Sequence, residues 1–394
     1  MFYQRKILSS IKARLKDKEI VVITGMRRVG KTTLCQILLD NIKSANKIFL
    51  DLENPINQKV FEEKDFDNII HNFVSLGLKK SEKMYVFLDE IQAAPFAVKA
   101  IKYLYDHYDI KFFLTGSSSF YLKNLFPESL SGRKFIFEIF PLDFEEFLIF
   151  KNFKNLDFHQ DFAEMAKKKS LIEYEKKQKY YEEYLRFGGF PGVVLAQDQE
   201  TKTLRLNDIF QSYFEKDIRF LGDFREINVL RDFILLLMQR VRSGIEITKI
   251  SSELGVSRQT IYAFLSFLEK TYFLYLLKPF SRNIDREISG KRKIYLCDTG
   301  IINNFAQVSS GSILENAVFL GLKKYGQINY YQKRSGGEID FILNKKIAFE
   351  VKQKGSRVDY KKLSKISDSI GIKEKYLISQ EFNQIDYCIS ASEI

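Results

Sequence analysis

Cysteine and histidine are scarce in this chain, with three of each among 394 residues. The cysteines are scattered and odd in number, which excludes a disulfide framework or a cysteine-based zinc site. Free thiols suit a reducing compartment, so we expect a cytoplasmic protein. The histidines cluster nowhere in the sequence, which argues against a histidine-based metal site or catalytic triad. The six residues are Cys35, Cys297, Cys388, His71, His107 and His159.

Long apolar runs are also missing. No stretch approaches the roughly 18 apolar residues that a membrane-spanning helix needs, and residues 1–6 lack the apolar core of a signal peptide. We therefore expect no membrane association. The sequence shows no repeat and no low-complexity segment. A chain of 394 residues is too long for one hydrophobic core, so we expect two to four domains.

An apolar run at residues 20–23 leads directly into a glycine-rich loop with the pattern G-x-x-x-x-G-K-T at residues 25–32. A strand, a tight loop and a helix N-terminus in this order point backbone N–H groups at one place, where the helix dipole adds positive potential. Lys31 can reach the β- and γ-phosphates of a nucleotide, and the hydroxyl of Thr32 can hold Mg²⁺. Apolar positions after the loop continue an amphipathic helix, which disfavours a chance glycine turn.

This loop predicts an ATP site that uses backbone N–H groups more than side chains, because the middle of the loop needs only to keep its length. The predicted nucleotide-binding residues are Gly25, Arg27, Arg28, Val29, Gly30, Lys31, Thr32 and Thr33.

Two later apolar strands end in polar residues that suit the same site. The first ends in Asp89, which we expect in the Mg²⁺ shell, and in Glu90, which can polarise a water for attack on the γ-phosphate. The second leads into Ser117 and Ser118, where a hydroxyl can sit between the γ-phosphate and that water. A solvated strand end is the ordinary alternative for each. Together with residues 48–52, these strands predict a doubly wound parallel sheet that binds its ligand at the carboxyl ends. Arg133 precedes a further strand, and we interpret it as a residue that can reach a γ-phosphate.

The net charge of +12 is uneven along the chain. Residues 241–394 carry 24 Lys and Arg against 16 Asp and Glu, whereas residues 1–240 carry 38 against 34. A basic C-terminal part points to a polyanion, so we predict a nucleic-acid partner, DNA more than RNA. General lysine enrichment for solubility is the alternative.

Residues 245–270 have the spacing of a helix-turn-helix. A short helix at 248–254 is followed by a turn, and Ser257 caps a second helix with Arg258 at its front. Residues 272–277 and 293–296 are the predicted wing strands of a winged helix. Such a module either reads DNA or only packs against a neighbouring domain, and the sequence leaves both open.

A second chemical pattern lies in a predicted β-hairpin near the C-terminus. Asp340 lies on one strand, and Glu350 and Lys352 lie on the next, where residues two apart face the same side. Glu315, on an upstream helix that we expect to be amphipathic, is a candidate third carboxylate. Carboxylates hold Mg²⁺ or Mn²⁺, and a lysine can position water. A surface hairpin with ordinary charge alternation is the alternative, although the apolar neighbours of these residues favour burial.

These motifs occur in the order found in a known group, and the sequence resembles the bacterial and archaeal AAA-related P-loop ATPases with a winged-helix module and a C-terminal restriction-endonuclease-like domain. The match covers nearly the whole chain. The segments that carry it are G-M-R-R-V-G-K-T-T (25–33), L-D-E-I-Q (88–92), L-T-G-S-S-S (114–119), L-S-G-R (130–133), P-L-D-F-E-E-F (141–147), G-G-F-P (188–191), Y-L-C-D-T-G (295–300), L-E-N-A-V (314–318), E-I-D-F (338–341) and E-V-K (350–352).

The resemblance implies roles for several of these residues. It implies Mg·ATP binding at residues 25–33 and a general base at Glu90. It implies a sensor at Ser117 or Ser118 and Arg133 as a candidate arginine finger, acting in a neighbouring subunit of a homo-oligomer or in its own. It also implies nuclease-type positions at Glu315, Asp340, Glu350 and Lys352.

Two functions follow from these patterns. The first is an Mg²⁺-dependent ATPase coupled to a nucleic-acid-binding domain that can act as a metal-dependent nuclease. The second is an ATP-dependent regulatory switch whose endonuclease-like domain only binds a partner. In either case we expect an α/β chain with an ATPase domain (1–142), a helical lid (143–240), a winged helix (241–296) and an endonuclease-like domain (297–394).

Overall fold

The computed structural model describes residues 3–116, 132–154, 161–218, 227–281, 283, 287, 290–333 and 336–394. The chain divides into two compact units. Unit 1 contains residues 1–140, 215–223 and 270–272, and unit 2 contains residues 141–214, 224–269 and 273–394. Within the described residues, no helix is long and apolar enough to cross a membrane.

Unit 1 is built on a five-stranded sheet in which every pair of neighbouring strands is parallel, in the order β2-β3-β4-β1-β5. Its central strands are buried on both faces, as their nearly continuous apolar sequences require. This sheet confirms the predicted α/β fold class. The strands are β1 (Ile20–Gly25), β2 (Lys47–Asp51), β3 (Met84–Asp89), β4 (Ile110–Gly116) and β5 (Lys134–Ile139).

The helices of unit 1 bury their apolar sides against this sheet. The core on one face combines strand residues such as Val86 and Leu88 with helix residues such as Ile70 and Leu104. Short helical turns accompany them at residues 59–61 and 91–93. The helices are α1 (Ile7–Lys12), α2 (Lys31–Asn41), α3 (Pro55–Gln58), α4 (Asn68–Ser75) and α5 (Ala97–His107).

Unit 2 begins as a run of helices, as predicted for the segment after residue 143. Asp143 caps the first of them by accepting a hydrogen bond from the N–H of Glu146 at 2.9 Å. The run ends in a π-helical turn, Tyr213–Ile218, whose last residues belong to unit 1. The helices are α6 (Phe144–Phe150), α7 (Phe162–Lys167), α8 (Leu171–Phe187), α9 (Pro191–Val194), α10 (Gln199–Ser212) and α11 (Ile227–Gln239).

The predicted pair of helices follows as α12 (Ile247–Leu254) and α13 (Arg258–Lys270). Gly255 ends the first helix in the left-handed conformation, with φ of +66°. Ser257 caps the second by accepting from the N–H of Thr260 at 3.1 Å. Two strands, β6 (Leu274–Leu277) and β7 (Lys293–Leu296), form an antiparallel two-stranded sheet at the positions predicted for the wing.

The C-terminal part of unit 2 contains a five-stranded mixed sheet in the order β12-β11-β10-β9-β8. Its neighbouring strands β9 and β10 are antiparallel and form the predicted hairpin. Helix α16 covers one face, where Leu363 packs with Ile339, Ile342 and Leu377. The elements are α14 (Thr299–Phe305), α15 (Ser310–Leu322), β8 (Ile328–Gln332), β9 (Glu338–Leu343), β10 (Ile347–Lys352), α16 (Arg357–Ser369), β11 (Glu374–Ser379) and β12 (Cys388–Ser390).

Candidate functional site

The two glycines of the loop between β1 and α2 serve different needs. A Cβ on Gly25 would lie 2.1 Å from the carbonyl oxygen of Ile139, so only glycine fits beside strand β5. Gly30 has open space around it but adopts φ of +95° at the N-cap of α2, a conformation that glycine reaches without strain. The pattern G-x-x-x-x-G therefore sets both the packing and the turn that bring the N-terminus of α2 to the carboxyl edge of the sheet.

Lys31 is the first residue of α2 and is 5% exposed. Its Nζ donates to the carbonyl oxygens of Met26 at 2.7 Å and of Gly25 at 3.2 Å, so the amine lies inside the loop. Burial lowers the pKa of Lys31, an effect that the nearby charges of Glu90 and Asp217 oppose. A cation held at this place is suited to an anionic ligand in the loop.

Thr32 and Asp89 are in direct contact. The Thr32 hydroxyl donates to Asp89 Oδ2 at 2.7 Å, which joins the start of α2 to the end of β3. Asp89 is buried, and burial raises its pKa. On its other side, Asp89 accepts a hydrogen bond from the hydroxyl of Thr115 at the end of β4. The structure thus brings together two residues that were predicted to hold Mg²⁺.

Glu90 lies just beyond β3 in the left-handed conformation, with φ of +53°. For a residue with a side chain this backbone is strained, and such strain often occurs at functional sites. Its N–H donates to Thr115 Oγ1 at 3.1 Å, and its carboxylate accepts from the amide of buried Gln92. Thr115 therefore positions both Asp89 and Glu90.

The other predicted nucleotide-binding residues differ in exposure. Val29 is buried, and its carbonyl accepts from the guanidinium of Arg5 at 2.9 Å. Arg28 is exposed and left-handed, with φ of +65°, and Thr33 is exposed on the first turn of α2. Arg27 lies on the loop and forms an ion pair with Asp217, where its Nε is 3.2 Å from Oδ1.

The expectation that Arg133 reaches the phosphate site of its own subunit is wrong. Strand β5 runs parallel to β1 with Lys134 beside Ile20, and the carbonyl of Arg133 accepts from the N–H of Ile20 at 2.8 Å. Arg133 thus lies at the amino edge of the sheet, roughly 16 Å along the strands from the loop that starts at Gly25. Its Nε lies 3.0 Å from Asp106 Oδ1. A role in a neighbouring subunit stays a prediction, and Ser117 and Ser118 lie outside the described residues.

The second predicted cluster lies on the β9–β10 hairpin of the C-terminal sheet. Phe341 pairs with Phe349, so the register places Asp340 opposite Glu350. Asp340 is 8% exposed and accepts from the N–H of Val351 at 2.8 Å. Lys352 Nζ lies 2.6 Å from Glu350 Oε1, which shows that these two side chains share one face of β10.

Glu315 reaches the same region from α15. It accepts from the Tyr295 hydroxyl at 2.7 Å and pairs with Arg242, whose Nη1 is 3.2 Å from Oε2. Burial and the charge of Asp340 raise the pKa of Glu315 to about 7, and the same two causes raise that of Glu350 to about 7. Both glutamates are therefore close enough to Asp340 to feel its charge. Helix α15 is not amphipathic as expected, because residues 313–319 are all buried against the sheet and the neighbouring helices.

Nevertheless, the described residues contain no group of three or more His, Cys, Asp or Glu side chains arranged to hold a metal ion. One oxygen of the cluster is left over: Glu350 Oε2 is buried and has no hydrogen-bond partner among the described residues. An unpaired buried carboxylate oxygen is costly, and a cation would satisfy it.

The basic residues near β7 are less available to bind a nucleic acid than the positive charge of the C-terminal sequence suggested. Lys293 is 5% exposed and pairs with Glu338, and Lys291 Nζ lies 2.5 Å from Glu246. Arg258 and Tyr262, by contrast, are exposed on one side of α13.

Sequence reasoning missed four residues at these sites. Thr115 shows a weak signal, a hydroxyl at the end of an apolar strand, whereas the other three depend on contacts that no local pattern encodes. These residues are Thr115, Asp217, Arg242 and Tyr295.

Three family models match the chain. Residues 17–148 match the model of an AAA domain, residues 178–312 match a domain of unknown function (DUF8612), and residues 310–392 match another (DUF4143). The chain is also similar to solved structures of the ORC1 protein of Aeropyrum pernix in complex with DNA and of AMPPCP-bound DnaA from Aquifex aeolicus. The first has a TM-score of 0.35 and 12% identity and covers 77% of this chain and 92% of that chain. The second has a TM-score of 0.28 and 17% identity and covers 68% and 87%.

Two relatives share most of the length of this chain. An uncharacterised protein of Haemophilus influenzae is 29% identical over 367 residues, which cover 88% of this chain and 86% of the relative. An uncharacterised protein of Methanocaldococcus jannaschii is 34% identical over 349 residues, which cover 84% of this chain and 74% of the relative. With this relative and the matched AAA and DUF4143 domains, the chain belongs to the family of AAA-related P-loop ATPases that carry additional C-terminal domains.

Proposed function

We propose that the chain is an Mg²⁺-dependent ATPase whose ATP cycle controls a nucleic-acid-binding C-terminal region. The observation that carries the proposal is the 2.7 Å contact between the Thr32 hydroxyl and Asp89, which joins the phosphate loop to the acidic strand end. A hydroxyl and a carboxylate are the oxygen donors that Mg²⁺ prefers, so the residues present fit this ion. When bound, Mg²⁺ neutralises charge on the phosphates.

Each residue of the site has a task in this proposal. The N–H groups of residues 25–33 bind the phosphates. Lys31 exchanges its hydrogen bonds to the carbonyl oxygens of Gly25 and Met26 for contacts with the phosphates. Glu90 accepts the proton of the attacking water, and Thr115 and Gln92 hold Glu90 in place.

The ATPase proposal is tested with two variants of the full chain. We expect Lys31→Ala to lose most ATP hydrolysis, because it removes the cation aimed at the phosphates. We expect Glu90→Gln to bind ATP with little change while turnover falls about 100-fold, since the carboxylate acts only on the water. Asp40→Asn, on the exposed side of α2, is the matched control. Hydrolysis by Glu90→Gln at the parent rate contradicts the assignment of the base.

For the C-terminal region we propose nucleic-acid binding with metal-dependent cleavage at Glu315, Asp340, Glu350 and Lys352. The charge of Asp340, which raises the pKa of both Glu315 and Glu350, and the unpaired Glu350 Oε2 support a cation site. Mg²⁺ or Mn²⁺ would supply charge neutralisation at a phosphate there. Lys352 holds Glu350 in place, and the backbone N–H of Val351 fixes Asp340.

A second candidate, a regulatory switch whose C-terminal domain binds without cleaving, also has support. Glu350 and Glu315 are each engaged by a protein cation, Lys352 and Arg242 respectively. An arrangement of this kind neutralises the cluster without a metal.

Incubation of the full chain with single- and double-stranded DNA and RNA, with Mg²⁺ or Mn²⁺ and with or without ATP, separates the two. The nuclease predicts cleavage that Asp340→Ala abolishes while binding is kept. Asp386→Ala, at an exposed loop position of the same unit, is the control. Binding without cleavage under every condition favours the switch.

We further propose that the four-part division expected from the sequence describes the functional modules. In this division α12, α13, β6 and β7 form a winged helix that contacts DNA, and Arg133 acts in trans within a homo-oligomer. The capped second helix and its exposed Arg258 support the DNA contact.

A further inference from the structure

The phosphate loop, residues 25–33, contains two cations besides Lys31, and the partner of one of them, Arg27, lies 190 residues further along the chain. Arg27 Nε donates to Asp217 Oδ1 at 3.2 Å, and Arg27 Nη1 lies 3.8 Å from Glu53 Oε1. The side chains of Arg27 and Asp217 are 18% and 3% exposed. This ion pair belongs to unit 1, although Asp217 lies on the segment 215–223 that interrupts unit 2 in sequence.

Asp217 also acts on the electrostatics of the loop. Its charge, with those of Glu90 and Asp89, favours the charged form of Lys31. Arg27 therefore pairs with a protein carboxylate, and Lys31 lies within the electrostatic influence of three carboxylates in this structure. A guanidinium binds phosphate oxygens as well as carboxylate oxygens, so nucleotide phosphates and Asp217 compete for Arg27.

We infer that Asp217 is a positioning residue of the nucleotide site, which holds Arg27 until the phosphates of ATP take its place. This inference rests on the proposed ATPase function. A buried carboxylate beside the loop opposes the entry of an anion, and by pairing with Arg27 it also keeps the guanidinium from the phosphates. Removal of the charge at position 217 therefore tightens ATP binding, and removal of the guanidinium weakens it.

Equilibrium titration of the full chain with a fluorescent ATP analogue, mant-ATP, in Mg²⁺ tests this inference. Asp217→Asn keeps an acceptor for Arg27 but removes the charge, and it should lower the Kd about five-fold, the size expected for one screened charge near the phosphates. Arg27→Ala should raise the Kd about ten-fold. In the Arg27→Ala background, Asp217→Asn should lower the Kd less than it does in the parent, because only the direct repulsion between Asp217 and the phosphates is then removed. Asp40→Asn removes one charge from the far turns of α2 and should leave the Kd within two-fold of the parent.

The outcomes separate this inference from the proposed function. A parent chain that does not bind mant-ATP overturns the ATPase itself. A parent that binds, with Asp217→Asn within two-fold of it or with the same effect in the absence of Arg27, overturns the role of Asp217. If the ion pair were purely structural, its loss in either variant would lower the thermal unfolding temperature in the absence of nucleotide but leave the Kd unchanged. If Asp217→Asn does not fold, Arg27→Ala decides alone, because an unchanged Kd in that variant removes the competition for Arg27.

Discussion

Asp298 accepts a hydrogen bond of 2.7 Å from the backbone N–H of Gly189, 109 residues earlier in the chain. Its other oxygen accepts from the N–H of Ile301 at 3.1 Å and so caps α14. The carbonyl of Gly189 accepts from the N–H of Leu142 at 2.7 Å. Three segments that carry the family resemblance, P-L-D-F, G-G-F-P and C-D-T-G, therefore meet in one buried junction of unit 2 and have a structural role there.

Gly188 should tolerate no side chain at this junction. It adopts φ of +73°, and a Cβ would lie 2.0 Å from Asp298 Oδ1. We expect Gly188→Ala to lower the free energy of unfolding by more than about 3 kcal/mol, through backbone strain and the loss of the cap. Gly192→Ala is the control, because its Cβ would meet only Arg205 at 3.6 Å. Urea denaturation followed by circular dichroism measures both, and equal stabilities would contradict the close approach.

Asp298 also predicts a pH dependence of stability. Burial raises the pKa of its carboxyl group from 3.8 to about 6, against the N–H groups that favour the charge. The native state therefore binds the proton more tightly than the unfolded chain, and the contribution of Asp298 to stability falls as the pH rises from about 4 to about 6. The change is about 3 kcal/mol at 1.4 kcal/mol per pKa unit.

Asp298→Asn isolates this contribution, because an amide does not titrate. The free energy of unfolding of the parent minus that of the variant should be largest near pH 4 and smallest near pH 7. A difference that is flat, or that grows with pH, would contradict the raised pKa.

Thr115→Val should slow ATP turnover while the fold persists. The hydroxyl contacts both Asp89 and the N–H of Glu90, and valine has the same shape without it. Without this hydroxyl, Glu90 and Asp89 lose a hydrogen bond that orients them, and kcat should fall about 10- to 100-fold, which corresponds to a barrier higher by about 1.4–2.8 kcal/mol. Thr115→Ser keeps the hydroxyl and should retain most of the activity. A coupled ATPase assay provides the comparison, and parent-like turnover by the valine variant would remove the positioning role.

Arg133→Ala tests completion of the site by a neighbouring subunit. Since Arg133 lies at the far edge of its own sheet, only a trans role predicts lost hydrolysis with unchanged nucleotide affinity. Turnover per subunit of the parent should then rise with protein concentration. Arg14→Ala, at another half-exposed arginine of unit 1 with an acidic partner, is the control. Unchanged turnover in Arg133→Ala leaves only the ion pair with Asp106.

Nucleic-acid binding should depend on the exposed side of α13. We expect the double variant Arg258→Ala, Tyr262→Ala to bind duplex DNA at least ten-fold more weakly. Its affinity should also depend less on salt, because each phosphate contact contributes roughly −0.9 to the slope of the log binding constant against the log salt concentration. The triple change of Lys361, Lys362 and Lys365 to alanine removes more charge from exposed positions of α16 and serves as the control. Equal losses in both variants would indicate general charge attraction.

The sequence predicted elements whose patterns are local. The apolar runs gave β1, β3, β4 and the hairpin of β9 and β10, and the G-x-x-x-x-G-K-T pattern gave the turn into α2. The role of Arg133 within its own subunit could have been excluded from the sequence, because a residue that precedes a parallel strand lies at the amino edge, away from a ligand at the carboxyl edge. The roles of Asp217 and Arg242 could not be predicted from the sequence, because their partners lie far away in sequence and only the folded chain brings them together.

The segment 215–223 has a consequence for how this protein can be taken apart. The chain leaves unit 2 after Phe214 and supplies Asp217 to the phosphate loop, and it belongs to unit 2 again at Ile227, where the described residues resume. A fragment that ends near residue 140 would retain β1–β5 but lose the carboxylate that faces Arg27. Gene fusion, truncation or domain shuffling at this apparent boundary would therefore leave Arg27 without its ion-pair partner in unit 1.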